Sequence, residues 1–147
     1  MSDHFMIIIP MDPFAKPSEE RCQAALDRLC ELRTGYEPEL EFFDKPEFIW
    51  AAESAGGVFC PFCAADIESW FFEELRYREE RGQQDLVITT PCCARSTSFN
   101  DLDFEDRQGF ACVTMEINCR GADLEPFERE EIEAVLGVPV RVIWRHL

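Results

Sequence analysis

Apolar positions along this chain change period several times, and each change marks an element. Phe5-Met6-Ile7-Ile8-Ile9 is a continuous apolar run closed by Pro10, which reads as a buried strand. Pro10, Pro13 and Pro17 make the next stretch a loop. Ser18 then caps a helix with Glu19 and Glu20 in its first turn, where the helix dipole favours acids. Cys22, Ala25, Leu26, Leu29 and Arg33 follow helical spacing, so Cys22 belongs to a core stripe and Cys30 flanks it. Gly35 is expected to end this helix. Leu40 to Asp44 and Phe48-Ile49-Trp50 form a second strand region, broken at Pro46.

The C-terminal third repeats this order. From Phe110 to Cys119 the chain alternates, placing Ala111, Val113, Met115, Ile117 and Cys119 on one face and Cys112 on the other. These two cysteines cannot share an ion from a regular strand and read as packing residues. A helix follows from about Pro126 to Leu136, with proline near its start and Gly137 beyond its end. Its exposed side is expected to carry Glu128, Glu130, Glu131 and Glu133. Val138, Val140, Val142 and Trp144 then alternate as a last strand.

Two β-α-β units therefore flank a middle segment. The pattern predicts an α+β fold: a single domain over residues 1–147, with a ferredoxin-like sandwich interrupted by a zinc-ribbon-like insert at about 56–107. Gly56-Gly57 opens the insert. Asp66 is placed to cap a helix whose Ile67, Trp70, Phe71 and Leu75 form an apolar stripe, and Gly82 ends it. Leu86-Val87-Ile88 is a short strand leading to Thr90-Pro91-Cys92-Cys93.

The cysteines change the picture most. Cys60-Pro61-Phe62-Cys63 and Cys92-Cys93 put four thiols in two tight clusters, the donor set one tetrahedral zinc ion takes as thiolates. The metal site predicted is Cys60, Cys63, Cys92 and Cys93. Adjacent ligands strain a loop, which leaves open a site where Cys92 or Cys93 stands behind the other, with Thr90 or water beside it. The rival chemistry is thiol redox. Cys60-Pro61-Phe62-Cys63 is similar to the glutaredoxin active-site motif, with a helix expected after it, where a helix N-terminus would activate a thiolate. Against this, the motif lies mid-chain, a second thiol pair follows Pro91, and the flanking acids Glu53 and Asp66 raise a thiol pKa.

Other chemistry is sparse. His4 and His146 sit near the two termini, where terminal strands of one sheet could bring them together without a third ligand. Asp101, Asp103, Glu105 and Asp106 are spaced loosely like a calcium loop. The sixth position is Asp106, not glycine, and the twelfth is Cys112, not glutamate, so the stretch reads as an acidic contact loop. No catalytic constellation is visible, and an enzyme is not the expectation.

Charge bears on partners and not on the fold. Thirty acidic against 14 basic residues give a net charge of −16, which repels nucleic acid and anionic membranes and speeds encounter with a basic protein. No apolar segment approaches a membrane span, and the N-terminus lacks a basic signal region, so a cytoplasmic location is expected. In a reducing compartment eight cysteines argue for metal or burial over disulfides.

The motifs together resemble a family of small uncharacterised bacterial proteins. There a Cys-Pro-x-Cys knuckle precedes Pro-Cys-Cys-Gly, Ser-Leu-Asn-Asp-Leu and Gly-Phe-Ala. The matching residues here are Cys60-Pro61-Phe62-Cys63, Pro91-Cys92-Cys93, Ser98-Phe99-Asn100-Asp101-Leu102 and Gly109-Phe110-Ala111. The likeness extends to Ile8-Ile9-Pro10 and Leu136-Gly137. It departs at Ala94, where that family has glycine, and at Phe99, where it has leucine. The resemblance implies a zinc site and no assigned activity. The expected function is protein binding, as an inhibitor or immunity-type partner of a basic toxin or nuclease. The alternative is a thiol-disulfide oxidoreductase using Cys60 and Cys63.

Overall fold

A computed structural model describes residues 4–51, 56–83, 85–105, 107–121 and 123–146. Glu53 and Asp106 lie outside the described residues. The fold is mixed α+β. Strand β1 (His4–Pro10), helix α1 (Glu19–Arg33) and strand β2 (Tyr36–Ile49) come first. Short elements follow: β3 (Val58–Phe59), α2 (Glu68–Glu80), β4 (Val87–Thr89), β5 (Ser96–Ser98), a 3-10 turn (Phe99–Asp101) and β6 (Asp103–Phe104). Strand β7 (Gly109–Asn118), helix α3 (Pro126–Leu136) and strand β8 (Val140–His146) close the chain.

Four strands form one sheet in the order β2-β7-β1-β8, with every neighbour antiparallel. The order follows from composition. β1 and β7 are the most apolar strands and take the two central places, where both faces are covered. β2 carries Glu37, Glu39, Glu41, Pro38 and Pro46, residues that belong on an edge.

Helices α1 and α3 cover one face. Cys22, Ala25, Leu26 and Leu29 of α1 and Ile132 and Leu136 of α3 pack on Met6, Ile8, Val113, Met115 and Ile117. Ile7, Ile9 and Ile143, alternating with these along their strands, form a smaller cluster with Ile49, Ala51 and Ala111. A third cluster holds the residues between β2 and β7 together. Phe71 and Phe99 at its centre are fully buried with Val58, Cys60, Ile67 and Ile88, and Phe110 ties it to β7. The Phe48 ring bridges Phe71 and Phe110, with centroids 5.2 Å from each. Truncating such a residue to alanine costs about 3–5 kcal/mol. The cysteine loops thus rest on an aromatic floor that belongs partly to the main sheet.

Local signals act as their chemistry requires, with four differences from expectation. The Ser18 hydroxyl accepts the Arg21 amide at 3.2 Å and caps α1. The other end is closed by Thr34 in the left-handed conformation (φ 49°), not by Gly35. Gly35 is needed because a Cβ there would meet Ile117 Cδ1 at 2.6 Å. Strand β2 runs past Pro46. Its register on β7 jumps between Phe42 and Glu47, and that irregularity absorbs the proline. Ala111 joins Ile9 and Ile49 beside this jump and leaves the Val113–Ile117 group. Asp66 lies one residue before the N-cap of α2, Ile67, and accepts the Glu68 amide at 3.0 Å. Among the described residues no helix is long and apolar enough to cross a membrane.

Candidate metal centre

Two loops with the same backbone present the four thiols. In the first, Cys60 N–H donates to Ala65 O (2.9 Å) and Ala64 N–H to Cys60 O (2.9 Å). In the second, Thr90 N–H donates to Arg95 O (2.8 Å) and Ala94 N–H to Thr90 O (2.9 Å). Each loop has proline at its second position, and each turns through a left-handed alanine, Ala64 (φ 63°) and Ala94 (φ 56°). The chain repeats itself here: Cys60-Pro61-Phe62-Cys63-Ala64 corresponds to Thr90-Pro91-Cys92-Cys93-Ala94. Cys63 and Cys93 are equivalent, Thr90 takes the place of Cys60, and Cys92 takes the place of Phe62.

The four Sγ atoms all lie within 4.8 Å of one another, a group that could hold a metal ion. Cys60 approaches Cys93 at 3.7 Å and Cys63 approaches Cys92 at 3.4 Å, so the close pairs run between loops. All eight cysteines are free thiols. Cys60 is buried, Cys93 half-buried, and Cys63 and Cys92 exposed. The buried Thr90 hydroxyl sits 3.3 Å from Cys93 Sγ and accepts the Arg95 amide at 3.0 Å. The Arg95 guanidinium lies over the Phe62 ring, 5.2 Å from its centroid, and links the loops.

Burial opposes the Cys60 thiolate, but the amides of Cys63 and Phe62 and the thiols of Cys92 and Cys93 outweigh it, and the pKa falls to about 6. Cys92 is pushed up to about 12, by burial first and then by contacts with Cys63, Cys60 and Cys93. Of these two groups the Cys60 thiolate is favoured and the Cys92 thiolate disfavoured. The remaining cysteines are structural: Cys22, Cys112 and Cys119 are buried and Cys30 half-buried, and burial pushes all four thiols up.

The other singled-out residues divide. His4 and His146 are register partners on β1 and β8, with their Nδ1 atoms 2.5 Å apart. Asp101, Asp103 and Glu105 are exposed, but Glu105 Oε2 accepts the Gly57 amide at 3.0 Å and is tied to the fold. The expected acidic face of α3 is largely committed to internal contacts. Glu128 is buried and pairs with Arg33, Glu131 bonds Arg28, and Glu133 accepts the Val140 amide. The reason is that α3 packs beside α1, whose Arg28 and Arg33 face it. Glu130 remains exposed.

A more acidic concavity lies on the sheet. Glu39, Glu41, Glu47 and Glu116 surround a cavity of about 370 Å³ with Arg145. Burial raises the Glu116 pKa, Arg145 lowers it, and Glu39 and Glu41 raise it further. The alternation of Glu39 and Glu41 was the sequence signal for this face. Comparison of the chain with protein-family models, curated proteins and solved structures finds no match.

Proposed function

We propose that the chain is a zinc-stabilised, acidic protein-binding domain, an inhibitor or immunity-type partner of a basic protein such as a toxin or nuclease. The observation that carries the metal part is the approach of the four sulfurs to within 4.8 Å of one another. A tetrahedron of sulfurs about 2.3 Å from zinc has edges of about 3.8 Å, and the two closest approaches, 3.7 and 3.4 Å, lie near that edge. Four protein ligands close the coordination shell, so the zinc is structural and would hold the two loops of a zinc-ribbon-like insert together. The strand order β2-β7-β1-β8, with two helices on one face, supports a ferredoxin-like frame around that insert. The net charge of −16 and the carboxylates around the β2 concavity support a basic partner.

Elemental analysis of protein purified without added metal tests the centre. One zinc per chain is expected. Cys60→Ser, Cys63→Ser, Cys92→Ser and Cys93→Ser lose it, and serine at Cys22, Cys30, Cys112 or Cys119 keeps it. Less than about half an equivalent, with both clusters oxidised to disulfides, overturns the reading.

The lowered Cys60 pKa favours one second reading, a thiol-disulfide oxidoreductase built on Cys60 and Cys63. The surroundings support it less. Cys60 is only 1% exposed, its near sulfur neighbour is Cys93, and α2 begins at Glu68, five residues past Cys63. Cys60→Ser separates the two: an unstable fold belongs to a metal site, and an intact fold with lost disulfide reduction to an enzyme.

A further inference from the structure

Ser98–Leu102 and Gly109–Ala111, two motifs the metal centre leaves unexplained, meet around a half-buried arginine. Arg141 enters from β8. Its Nη1 donates to Asn100 O (3.2 Å), Asn100 Oδ1 (3.2 Å) and Gln108 O (2.9 Å). Asn100 is itself buried and fixed, donating to Met11 O at 3.1 Å and accepting the Phe110 amide at 2.9 Å. Gly109 is glycine because a Cβ there would meet Arg141 Nη1 at 2.6 Å. The fold thus clears a path for this guanidinium and holds it by one nitrogen. Among the described residues Nε and Nη2 have no hydrogen-bond partner, and no carboxylate forms an ion pair with Arg141.

Two more arginines face the same cavity of about 510 Å³. Arg129 of α3 donates to Val140 O at 2.6 Å, and Arg107 makes no hydrogen bond or ion pair among the described residues. The walls include Met11, Leu102, Phe104 and Val140, and Asp101 and Asp103 line the cavity as well. Burial lowers the Arg141 pKa, Asp101 offsets part of this, and Arg107 adds to it. Three of the chain's 14 basic residues converge on one concavity of a protein with net charge −16. No side-chain nitrogen cut off from solvent lacks a partner among the described residues, so the unbonded nitrogens of this half-buried guanidinium stay accessible to an incoming anion.

We infer that this cavity binds a small oxyanion, a carboxylate or a phosphate ester, clamped by Arg107, Arg129 and Arg141, with its organic part against Phe104 and Val140. Guanidinium forks match both anions. Asp101 and Asp103 oppose the negative charge and would admit a ligand that also carries a donor or cationic group.

Titration of the full chain with inorganic phosphate and, separately, succinate tests the site, read by calorimetry and by amide shifts of Gly109 and of the Asn100 side chain. Binding of either is expected at millimolar concentration, and the tighter one assigns the ligand class. Arg107→Gln and Arg129→Gln should each weaken it at least about tenfold, as expected for a lost charge-assisted hydrogen bond. Arg107 makes no hydrogen bond or ion pair among the described residues, so its variant keeps the test clean should Arg141→Gln fail to fold. Asp101→Asn should tighten binding, a sign that a purely structural arginine cluster would not produce. Absence of binding by both anions, or binding indifferent to Arg107→Gln and Arg129→Gln, overturns the site.

Discussion

Thr90 stands in the second cysteine loop where Cys60 stands in the first. Both donate their amide to the residue five positions on and accept the amide four positions on. The hydroxyl of Thr90 lies 3.3 Å from Cys93 Sγ, on the inner side of the cluster. The second loop thus has the form of a Cys-x-x-Cys loop with threonine at its first position, and Cys92, in the place of Phe62, brings the fourth sulfur to the cluster. This equivalence predicts a rescue. Cys92→Ser alone should lose most of its zinc. Thr90→Cys added to it rebuilds a regular loop through residues 90 and 93 and should restore about one equivalent. Cobalt substitution, read from thiolate-to-metal absorption, would show the same loss and recovery. A double variant that still binds no metal refutes the equivalence.

The two loops also share a strained turn. Ala64 and Ala94 both adopt the left-handed conformation, which costs an L-residue about 1–2 kcal/mol. Glycine removes that strain but gives back about 0.5–1 kcal/mol of unfolded-state entropy. Ala64→Gly and Ala94→Gly should each stabilise the metal-loaded protein by about 0.5 kcal/mol, a rise of roughly 1–2 °C in Tm. Valine at either position should lower Tm. Thermal melts at saturating zinc decide it, and a glycine variant that melts well below wild type contradicts the strain argument.

Glu128 and Arg33 join α3 to α1 through two parallel bonds of 2.9 Å, with side chains 7% and 13% exposed. Glu128 also accepts the Glu125 amide at 2.8 Å at the start of α3. Burial works against its charge, but the Glu125 amide and Arg33 outweigh it and hold the carboxyl below its ordinary range. A depressed carboxylate pKa stabilises the fold above the unfolded value of about 4.3, and that stability is lost as pH falls through the folded value. Glu128→Gln should cost about 3 kcal/mol at neutral pH, because the Arg33 charge stays while its carboxylate goes. For a chain of this length that is roughly 10 °C in Tm. The gap to wild type should stay constant above about pH 5 and close in more acid solution. Melts across pH at fixed zinc check both, and a gap that persists into acid assigns the loss to capping geometry.

Elements with their own punctuation were legible in the sequence. Ser18 before two glutamates, Pro126 and Gly137 around one apolar stripe, and the alternation after Gly109 each mark a segment whose local chemistry and burial agree. The two cysteine clusters that the fold brings together were legible because the spacing within each cluster is short-range. What escaped depends on partners distant in sequence. Glu128 reads as an exposed helix acid until α1 brings Arg33 beside it, and nothing in the alternation of the last strand marks Arg141, which Asn100 and Gly109 meet only in the fold. The loop repeat is hidden in the cysteines, because Thr90 stands where the first loop has Cys60. The shared proline and alanine were the better guide.

Redistribution of the acids changes where a basic partner should dock. With Glu128, Glu131 and Glu133 engaged by Arg33, Arg28 and the Val140 amide, α3 offers less free negative charge. The loop keeps Asp101 and Asp103, while Glu39, Glu41 and Glu47 crowd the concavity of β2 around Glu116. Association with a basic partner should slow steeply as salt rises, since exposed charges are screened beyond about 8 Å at physiological ionic strength. Glu39→Gln, Glu41→Gln and Glu47→Gln combined should slow association severalfold and flatten its salt dependence. Tm should hold or rise slightly, because Glu39 and Glu41 repel Glu116. The Glu116 carboxyl should then titrate at lower pH, which side-chain carboxyl NMR reads directly. Asp103→Asn tests the loop separately, because Asp103, unlike Glu105, accepts no amide from the insert among the described residues. Stopped-flow rates for wild type and both variants, at low and physiological salt, distinguish the surfaces. A partner whose association ignores salt and both variants would leave the acidic surface as a solubility device. The interface would then lie on exposed apolar groups such as Trp50, which is 45% exposed at the end of β2.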